Sequence, residues 1–316
     1  MKAALAPKYG SLVMRDVEKP EAAEGGVLVR VHATSLNAVD WYGLNGRPYV
    51  ARPLMGLLKP KSGESGSDFA GVVEAVGLGV DGLAPGDEVY GCQGGAFAEY
   101  LVAGKAVERK PANLSFEEAA AVPLAAFTAL QGLRDHGSVR PGQQVLVNGA
   151  SGGVGTFAVQ IAKAFGASVH AVCSARNIDQ ARELGADRVF DYTREDFTRS
   201  GARYDVLFDN AGNRSWLSMR RVLAPNGTVV LVGGPRKRMF GPLGHTIRIT
   251  LASKLSRRKA VFFIAKPNRD DLATLRDLIE AGQVKPVIEQ RFELAQIADA
   301  MREMNGHARA KIVVTV

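Results

Sequence analysis

The sequence is poor in cysteine, with two in 316 residues, Cys92 and Cys173, and no C-x-x-C pair. This excludes a disulfide-stapled scaffold and a four-cysteine zinc site. No stretch approaches the roughly 18 uninterrupted apolar residues of a membrane-spanning helix. The opening MKAALAPKYG has no apolar core of signal-peptide length, so a reduced, cytoplasmic setting is expected. No internal repeat or low-complexity tract is visible. Acidic residues are missing from one long window: residues 210–269 contain no Asp or Glu but 13 Lys and Arg. The whole chain carries +8, yet outside that window 27 basic residues face 32 acidic ones. The positive balance is local, which points to a local anionic partner rather than a generally basic protein.

What is present is ordinary for a soluble globular chain: 46% hydrophobic and 23% charged residues. At about 150 residues per domain, the length suggests two domains. The first third reads as short strands broken by Gly and Pro, at residues 27–37, 70–77, 86–91 and 97–102, the pattern of a small β-barrel. Residues 45–67 read as a loop with basic residues at Lys59 and Lys61. Near residue 115 the pattern changes. Ser115-x-x-Glu118 resembles a capping box ahead of an Ala-rich helix that Pro123 divides. Strands then alternate with helices through QVLVNGA, VGTFAVQIAKAFG, SVHAVC, IDQARELG, RVFDY, YDVLFDNAG and GTVVLVGG, which predicts a doubly wound parallel sheet. NRDDLATLRDLIEAG reads as an amphipathic helix, and KIVVTV closes the chain.

The sharpest motif is Asn148-Gly149-Ala150-Ser151-Gly152-Gly153-Val154-Gly155, which joins a buried strand to a long helix. Glycines there permit a tight turn and close backbone approach. The helix N-terminus offers free N–H groups and a positive dipole to a pyrophosphate. Ala150 stands where the commoner fingerprint has its first Gly, but the flanking strand, helix and second strand supply the right context. Residues 149–153 also satisfy the string G-x-S-x-G, but the glycine turn continues beyond it and no Asp…His order follows, so a hydrolase is not expected. At the end of the second strand, Cys173-Ser174-Ala175-Arg176 holds no carboxylate for a ribose 2′-hydroxyl. A hydroxyl at Ser174 and a guanidinium at Arg176 suit a 2′-phosphate, so NADPH is expected over NADH.

MKA, LNAVDW, SDFAGVVEAVG, GDEVYG, GAFAEY, AAAVPLAAFTALQGL, NGASGGVGTFAVQIAK, CSARN, LGADRVFDY, DNAGNRS, LVGG and KIVVTV occur in order along the chain. Together they resemble the zinc-independent branch of the medium-chain dehydrogenase/reductase superfamily, above all its quinone oxidoreductase-like, NADP-dependent reductases. The resemblance implies an α/β protein: a GroES-like β-barrel catalytic domain over residues 1–120, completed by 261–316, and a Rossmann NADP-binding domain over 121–260. It also implies a cleft for nicotinamide and substrate, and a homodimer. Zinc-containing members carry a Cys just after the strand that here leads into LNAVDW, and Gly-His-Glu where this chain has Gly66-Ser67-Asp68. Both ligand types are missing here, so no metal is expected and reduction of an already activated acceptor is favoured over alcohol oxidation.

The same resemblance places Asn37, Asp40 and Tyr49 on the substrate side, with Tyr42 a competing aromatic. Asn37 and Asp40 could equally serve only as turn caps. On the cofactor side it places Thr128, Ser151, Gly152, Gly153, Val154, Gly155, Ser174, Arg176, Tyr192, Asn210, Val232, Gly233 and Phe263, the last with core packing as the competing reading. The expected acceptor is a quinone or an α,β-unsaturated carbonyl. Within the acid-free window, LGHTIRITLASKL reads as a helix with Leu243, Ile247, Leu251 and Leu255 along one face. That stripe is expected to pack on its own domain. The alternative is a weak contact of residues 236–259 with an anionic membrane. Nucleic-acid binding is not expected, because the stretch lacks interleaved aromatics and a known module.

Overall fold

The computed structural model describes residues 1–234, 239, 241–254, 256–305 and 309–316, with backbone alone at 241, 242 and 305. The chain divides into two compact units. One comprises residues 1–127, 266–282 and 286–316, and the other residues 128–265 and 283–285.

The first unit is built on a seven-stranded sheet centred on Val27–Ser35, whose alternating β-branched residues suit a half-buried pleated surface. That strand pairs antiparallel with Asp68–Val76, Tyr100–Ala103 and the C-terminal Lys311–Thr315. The sheet continues through Glu88–Cys92 to Val107–Arg109 on one side, and to the parallel Ile288–Glu293 on the other. Val29, Phe69, Val73, Val89 and Leu101 fill one core. Trp41, Phe97, Ile297, Met301, Ile312 and Val314 fill a second. The consequence for function lies in the register. Val313 is opposite Ser35 and Val314 opposite Thr34, so the last strand delivers Lys311 to the end of Val27–Ser35, where the helix Ala38–Asn45 begins. Residues 45–67 are not wholly loop, since they contain the 3-10 turn Tyr49–Ala51 and the short helix Arg52–Met55 with Pro53 in its first turn.

The second unit is a six-stranded, all-parallel sheet. Its spatial order is Arg188–Asp191, Ser168–Cys173, Gln144–Asn148, Tyr204–Asp209, Leu223–Leu231, Lys259–Phe262. In sequence order this is 3-2-1-4-5-6, with the switch point after Gln144–Asn148. The central strands Gln144–Asn148 and Tyr204–Asp209 are buried along nearly their whole length, as strands covered on both faces require. Ser115 caps the helix Phe116–Ala120 through a complete capping box with Glu118, and a new helix, Pro123–Gln131, starts at the proline.

The acid-free window gives a correction. The helix Gly241–Ser253 forms, but it buries Thr246, Ile249 and Ser253. Ile247 and Leu251 point outward, 56% and 58% exposed, so the expected stripe does not face the core. Ile249 alone among its branched aliphatics joins the apolar cluster of the sheet, which rotates the packed face away from the i, i+4 row. Leu255 and residues 235–238 lie outside the described residues. Among the described residues no helix is long and apolar enough to cross a membrane.

Candidate functional site

In the second unit the strand Gln144–Asn148 ends in the turn 149–152 and the helix Gly153–Ala164 follows. Gly152 is the helix N-cap and carries no capping side chain, so the first-turn N–H groups of Gly153, Val154 and Gly155 are not filled by the protein's own cap. Close approach is enforced at two glycines. A Cβ at Gly155 would run into the Gly149 carbonyl oxygen, and one at Gly233 into the Asn210 carbonyl oxygen. Both lock the neighbouring strand ends against the turn. Asn210 donates from Nδ2 to the Gly149 carbonyl at 3.4 Å, and the N–H groups of Val232 and Gly233 donate to the Asp209 carbonyl at 3.0 and 3.1 Å. Ser151 lies in the turn itself. The carboxyl ends of three neighbouring strands therefore meet around one uncapped helix start, an arrangement suited to a dinucleotide phosphate.

One residue beneath this turn, Asp209, escaped sequence reasoning. Asp209 is fully buried, accepts from Asn148 Nδ2 at 2.8 Å and from the Gly212 N–H at 3.0 Å, and burial raises its pKa. Asn148 also donates to Asn213 Oδ1 at 3.1 Å. The polar ending of an otherwise apolar strand, VLFDN, was the available signal.

At the second strand end, Ser174 occupies the N-cap position of the 3-10 turn Ala175–Asn177 without a side-chain capping bond, and Asn177 Nδ2 donates to the Ser174 hydroxyl at 3.2 Å. Arg176 is exposed. Tyr192 follows Arg188–Asp191 and is also exposed. The neighbouring Asp191 is turned inward: its Oδ1 accepts from the N–H and hydroxyl of Thr193, which holds its pKa down. Phe263 is half-buried and stacks on His136 with ring centroids 4.4 Å apart. Thr128 is half-buried in the helix Pro123–Gln131.

In the first unit, Asn37 and Asp40 come together in a buried polar network whose other members are Ser35, Ser67, Asp68 and Lys311. Asn37 is the N-cap of Ala38–Asn45, and its backbone N–H donates to Asp40 Oδ2 at 2.7 Å. The amide of Asn37 faces the other way: Nδ2 donates to Asp68 Oδ2 at 2.8 Å, and Oδ1 accepts from Lys311 Nζ at 2.6 Å. Asp68 has no exposed surface and Lys311 almost none. Lys311 Nζ is 3.2 Å from Asp68 Oδ2, which also accepts from the Ser35 hydroxyl at 3.0 Å, while Asp68 Oδ1 accepts from the Leu124 N–H at 2.9 Å. Asp40 Oδ1 accepts from the Ser67 hydroxyl at 2.6 Å. Burial raises the Asp40 pKa to about 7, opposed by Ser67 and aided by the nearby Asp68 charge. Burial and the two carboxylates also push the Cys92 thiol up, which keeps it protonated.

The structure does not bring Tyr49 into this network. Tyr49 is 36% exposed, and its ring lies 4.5 Å from the Arg52 guanidinium, which also sits over Tyr9. Tyr42 packs edge-on against Trp41. Ser35, Ser67, Asp68 and Lys311 were not among the expected site residues, and the signal for Lys311 was a lysine opening the apolar strand KIVVTV. Among the described residues no group of three or more His, Cys, Asp or Glu is placed to hold a metal ion.

Residues 23–112 match the alcohol dehydrogenase GroES-like domain, and residues 184–314 match the family described as zinc-binding dehydrogenase. The chloroplastic quinone-oxidoreductase QR1 of Triphysaria versicolor is 32% identical, covering 95% of this chain and 92% of its own. The 2-methylene-furan-3-one reductase of Solanum lycopersicum is 35% identical, covering 99% of this chain and 79% of its own. The solved quinone oxidoreductase of Coxiella burnetii superposes with a TM-score of 0.87 at 31% identity, over 100% of this chain and 99% of that one. Similarity at this level runs through both units and carries the 3-2-1-4-5-6 sheet with it. The chain accordingly belongs to the quinone oxidoreductase-like members of the medium-chain dehydrogenase/reductase superfamily and is an NAD(P)H-dependent oxidoreductase.

Proposed function

We propose that the protein uses NADPH, without zinc, to reduce an electron-poor acceptor, either a quinone or an α,β-unsaturated carbonyl. The observation that carries this reading is the state of Asp68. By the resemblance, Gly66-Ser67-Asp68 stands where zinc-containing members carry Gly-His-Glu, and both Asp68 oxygens are already engaged by Lys311, Asn37, Ser35 and the Leu124 N–H. A carboxylate saturated by an ammonium and three neutral donors is a poor metal ligand, and a serine hydroxyl does not replace an imidazole. Without a Lewis acid to lower an alcohol's pKa, oxidation of alcohols is disfavoured and reduction of activated acceptors remains.

Bound NADPH supplies the hydride. The chain's own contribution on the cofactor side is positioning. The uncapped start of Gly153–Ala164 receives the pyrophosphate, Asn210, Val232 and Gly233 close the turn from the neighbouring strand ends, and Ser174, Arg176 and Tyr192 receive the adenosine 2′-phosphate. Asn37 and Asp40 are the candidates of the first unit for the substrate side, with the Asn37 amide already bonded to Asp68 and Lys311.

Initial rates with NADPH and NADH test this on a short quinone, an enone, an alkenal and a simple ketone, with EDTA present throughout. Fast turnover of quinone or enone with NADPH, much slower with NADH and unchanged by EDTA, is the expected result. Turnover abolished by EDTA and restored by zinc would overturn it. The resemblance further implies a homodimer, which sedimentation equilibrium checks. The outward Ile247 and Leu251, beside Arg248 and Lys254, support a peripheral contact with anionic membrane through residues 236–259. Salt-sensitive co-sedimentation with anionic but not neutral vesicles is then expected.

A further inference from the structure

Among the described residues, the densest run of exposed large apolar side chains lies in the first unit, outside the long acid-free window. Leu54, Leu57 and Leu58 are 79%, 67% and 89% exposed. Single exposed leucines are ordinary, as at Leu78 and Leu217, but three on one short excursion are not. The run falls in a second stretch without acid. Residues 41–63 contain no Asp or Glu and four cations, Arg47, Arg52, Lys59 and Lys61.

The backbone holds these leucines out in solvent. The helix Arg52–Met55 ends at Gly56, whose N–H donates to the Arg52 carbonyl at 2.7 Å. The Lys61 N–H then donates to the Met55 carbonyl at 2.8 Å, closing residues 56–60 into a compact loop. Gly56 has a φ of +118°, and a Cβ there would strike the Lys59 carbonyl oxygen. The base of the loop is anchored twice. The Tyr9 hydroxyl donates to the Gly56 carbonyl at 2.6 Å, and the Ala6 N–H donates to the Gly63 carbonyl at 2.7 Å. Arg52 is held at the same base: its Nε donates to the Gly46 carbonyl at 3.0 Å, and its guanidinium lies over the Tyr9 and Tyr49 rings. Lys59 and Lys61 are exposed, and neither has a carboxylate partner among the described residues. Glu64, the first acid after the loop, pairs through its backbone with Leu5.

We propose that residues 54–61 form a membrane-docking tip, with Leu54, Leu57 and Leu58 entering the interface of an anionic bilayer and Lys59 and Lys61 meeting its headgroup phosphates. The leucines leave water for the acyl boundary, and the long lysine stems keep their ammonium groups at headgroup level. Each basic residue near such a surface strengthens binding by about fivefold. Protein partners are anchored above all by Trp, Tyr and Arg, and residues 53–61 contain none of the three. Leucine flanked by unpaired lysine, with no acid and no aromatic, fits lipid rather than protein. This tip is distinct from residues 236–259, and its contact does not depend on the reductase activity.

The experiment is co-sedimentation of the full chain with vesicles of phosphatidylcholine, alone or mixed with phosphatidylglycerol, at low and high salt. Wild type should bind the mixed vesicles at low salt and leave the neutral ones unbound. Leu57→Ser/Leu58→Ser should weaken that binding by roughly tenfold or more, with thermal unfolding unchanged. Lys59→Gln should weaken it by about fivefold. Leu58→Trp should keep binding, and its emission should shift to the blue and be quenched by brominated lipid, against a background from Trp41 and Trp216 that are buried. Wild type that binds no anionic vesicle overturns the tip, as does Leu57→Ser/Leu58→Ser that binds like wild type, or a Leu58→Trp that brominated lipid leaves unquenched. Binding lost only in Ile247→Ser/Leu251→Ser overturns it too, and assigns the contact to residues 236–259. Self-association abolished by Leu57→Ser/Leu58→Ser, without vesicle binding by wild type, makes the surface a contact between copies and likewise overturns the membrane. Turnover of a soluble quinone by the same samples reads the reductase activity separately.

Discussion

The two units build their polar sites by opposite means. The nucleotide cradle of the second unit is made of backbone. Its essential groups are the free N–H groups of Gly153–Gly155 and the closely packed glycines at 155 and 233, and most of it lies in one uninterrupted turn. The first unit's network is made of side chains drawn from distant parts of the chain: Asn37 after one strand, Asp68 at the start of another, and Lys311 from the last. A backbone site tolerates few changes of shape but many of charge, whereas a buried ionic site is the reverse. Size changes should therefore damage the cradle, and charge changes the network.

The largest effect should come from Lys311→Met. It leaves the Asp68 carboxylate buried without its counter-ion, at a cost of about 3–5 kcal/mol in unfolding free energy measured by urea titration. Adding Asp68→Asn should recover most of that loss. If the double variant were no more stable than the single one, the pair would not be the source. Next is Gly155→Ala, whose Cβ meets the Gly149 carbonyl. Overpacking of this kind costs about 1–3 kcal/mol, and dinucleotide affinity by fluorescence titration should drop at least tenfold. The same substitution should leave the pH dependence attributed to Asp40 untouched, which is the sharpest form of the contrast.

Arg176→Ala should weaken NADPH binding by about tenfold, the loss of one charge-assisted hydrogen bond of ~1.5 kcal/mol, with little change for NADH. Equal weakening of both would remove Arg176 from the 2′-phosphate site. The smallest effect concerns pH. Asp40 holds its proton up to about 7 in the folded chain, against 3.8 for an ordinary Asp. The folded state binds more protons between those values, so this stabilisation is complete below pH about 4 and lost as pH rises through 7. Asp40→Asn should flatten that part of the stability profile, and an unchanged slope would place the proton elsewhere.

These contrasts explain what could be read in advance. Five of the six strands of the parallel sheet, the Ser115 capping box and the Gly149–Gly155 turn were legible, because each depends on local periodicity, on a four-residue spacing or on contiguous glycines, whereas the short edge strand Lys259–Phe262 was not read as a strand. Asn37 and Asp40 were legible as candidates through resemblance, but not as a linked pair. Tyr49 was placed on the substrate side by the same resemblance, and the short helix after it sets its ring against Arg52. In the helix Gly241–Ser253 the i, i+4 row of Leu243, Ile247 and Leu251 was visible, but the face that packs was chosen by Ile249 meeting the sheet.

The sequence by itself determined a two-part α/β chain and the place of the dinucleotide turn. Both follow from composition and short-range pattern, whereas the departure from the Cys and Gly-His-Glu of zinc-containing members came only with the resemblance. Only the tertiary structure decided that Lys311 neutralises Asp68 rather than Asp40. That choice depends on the register by which the final strand pairs with Val27–Ser35, bringing together charges from opposite ends of the chain whose interaction no local pattern encodes.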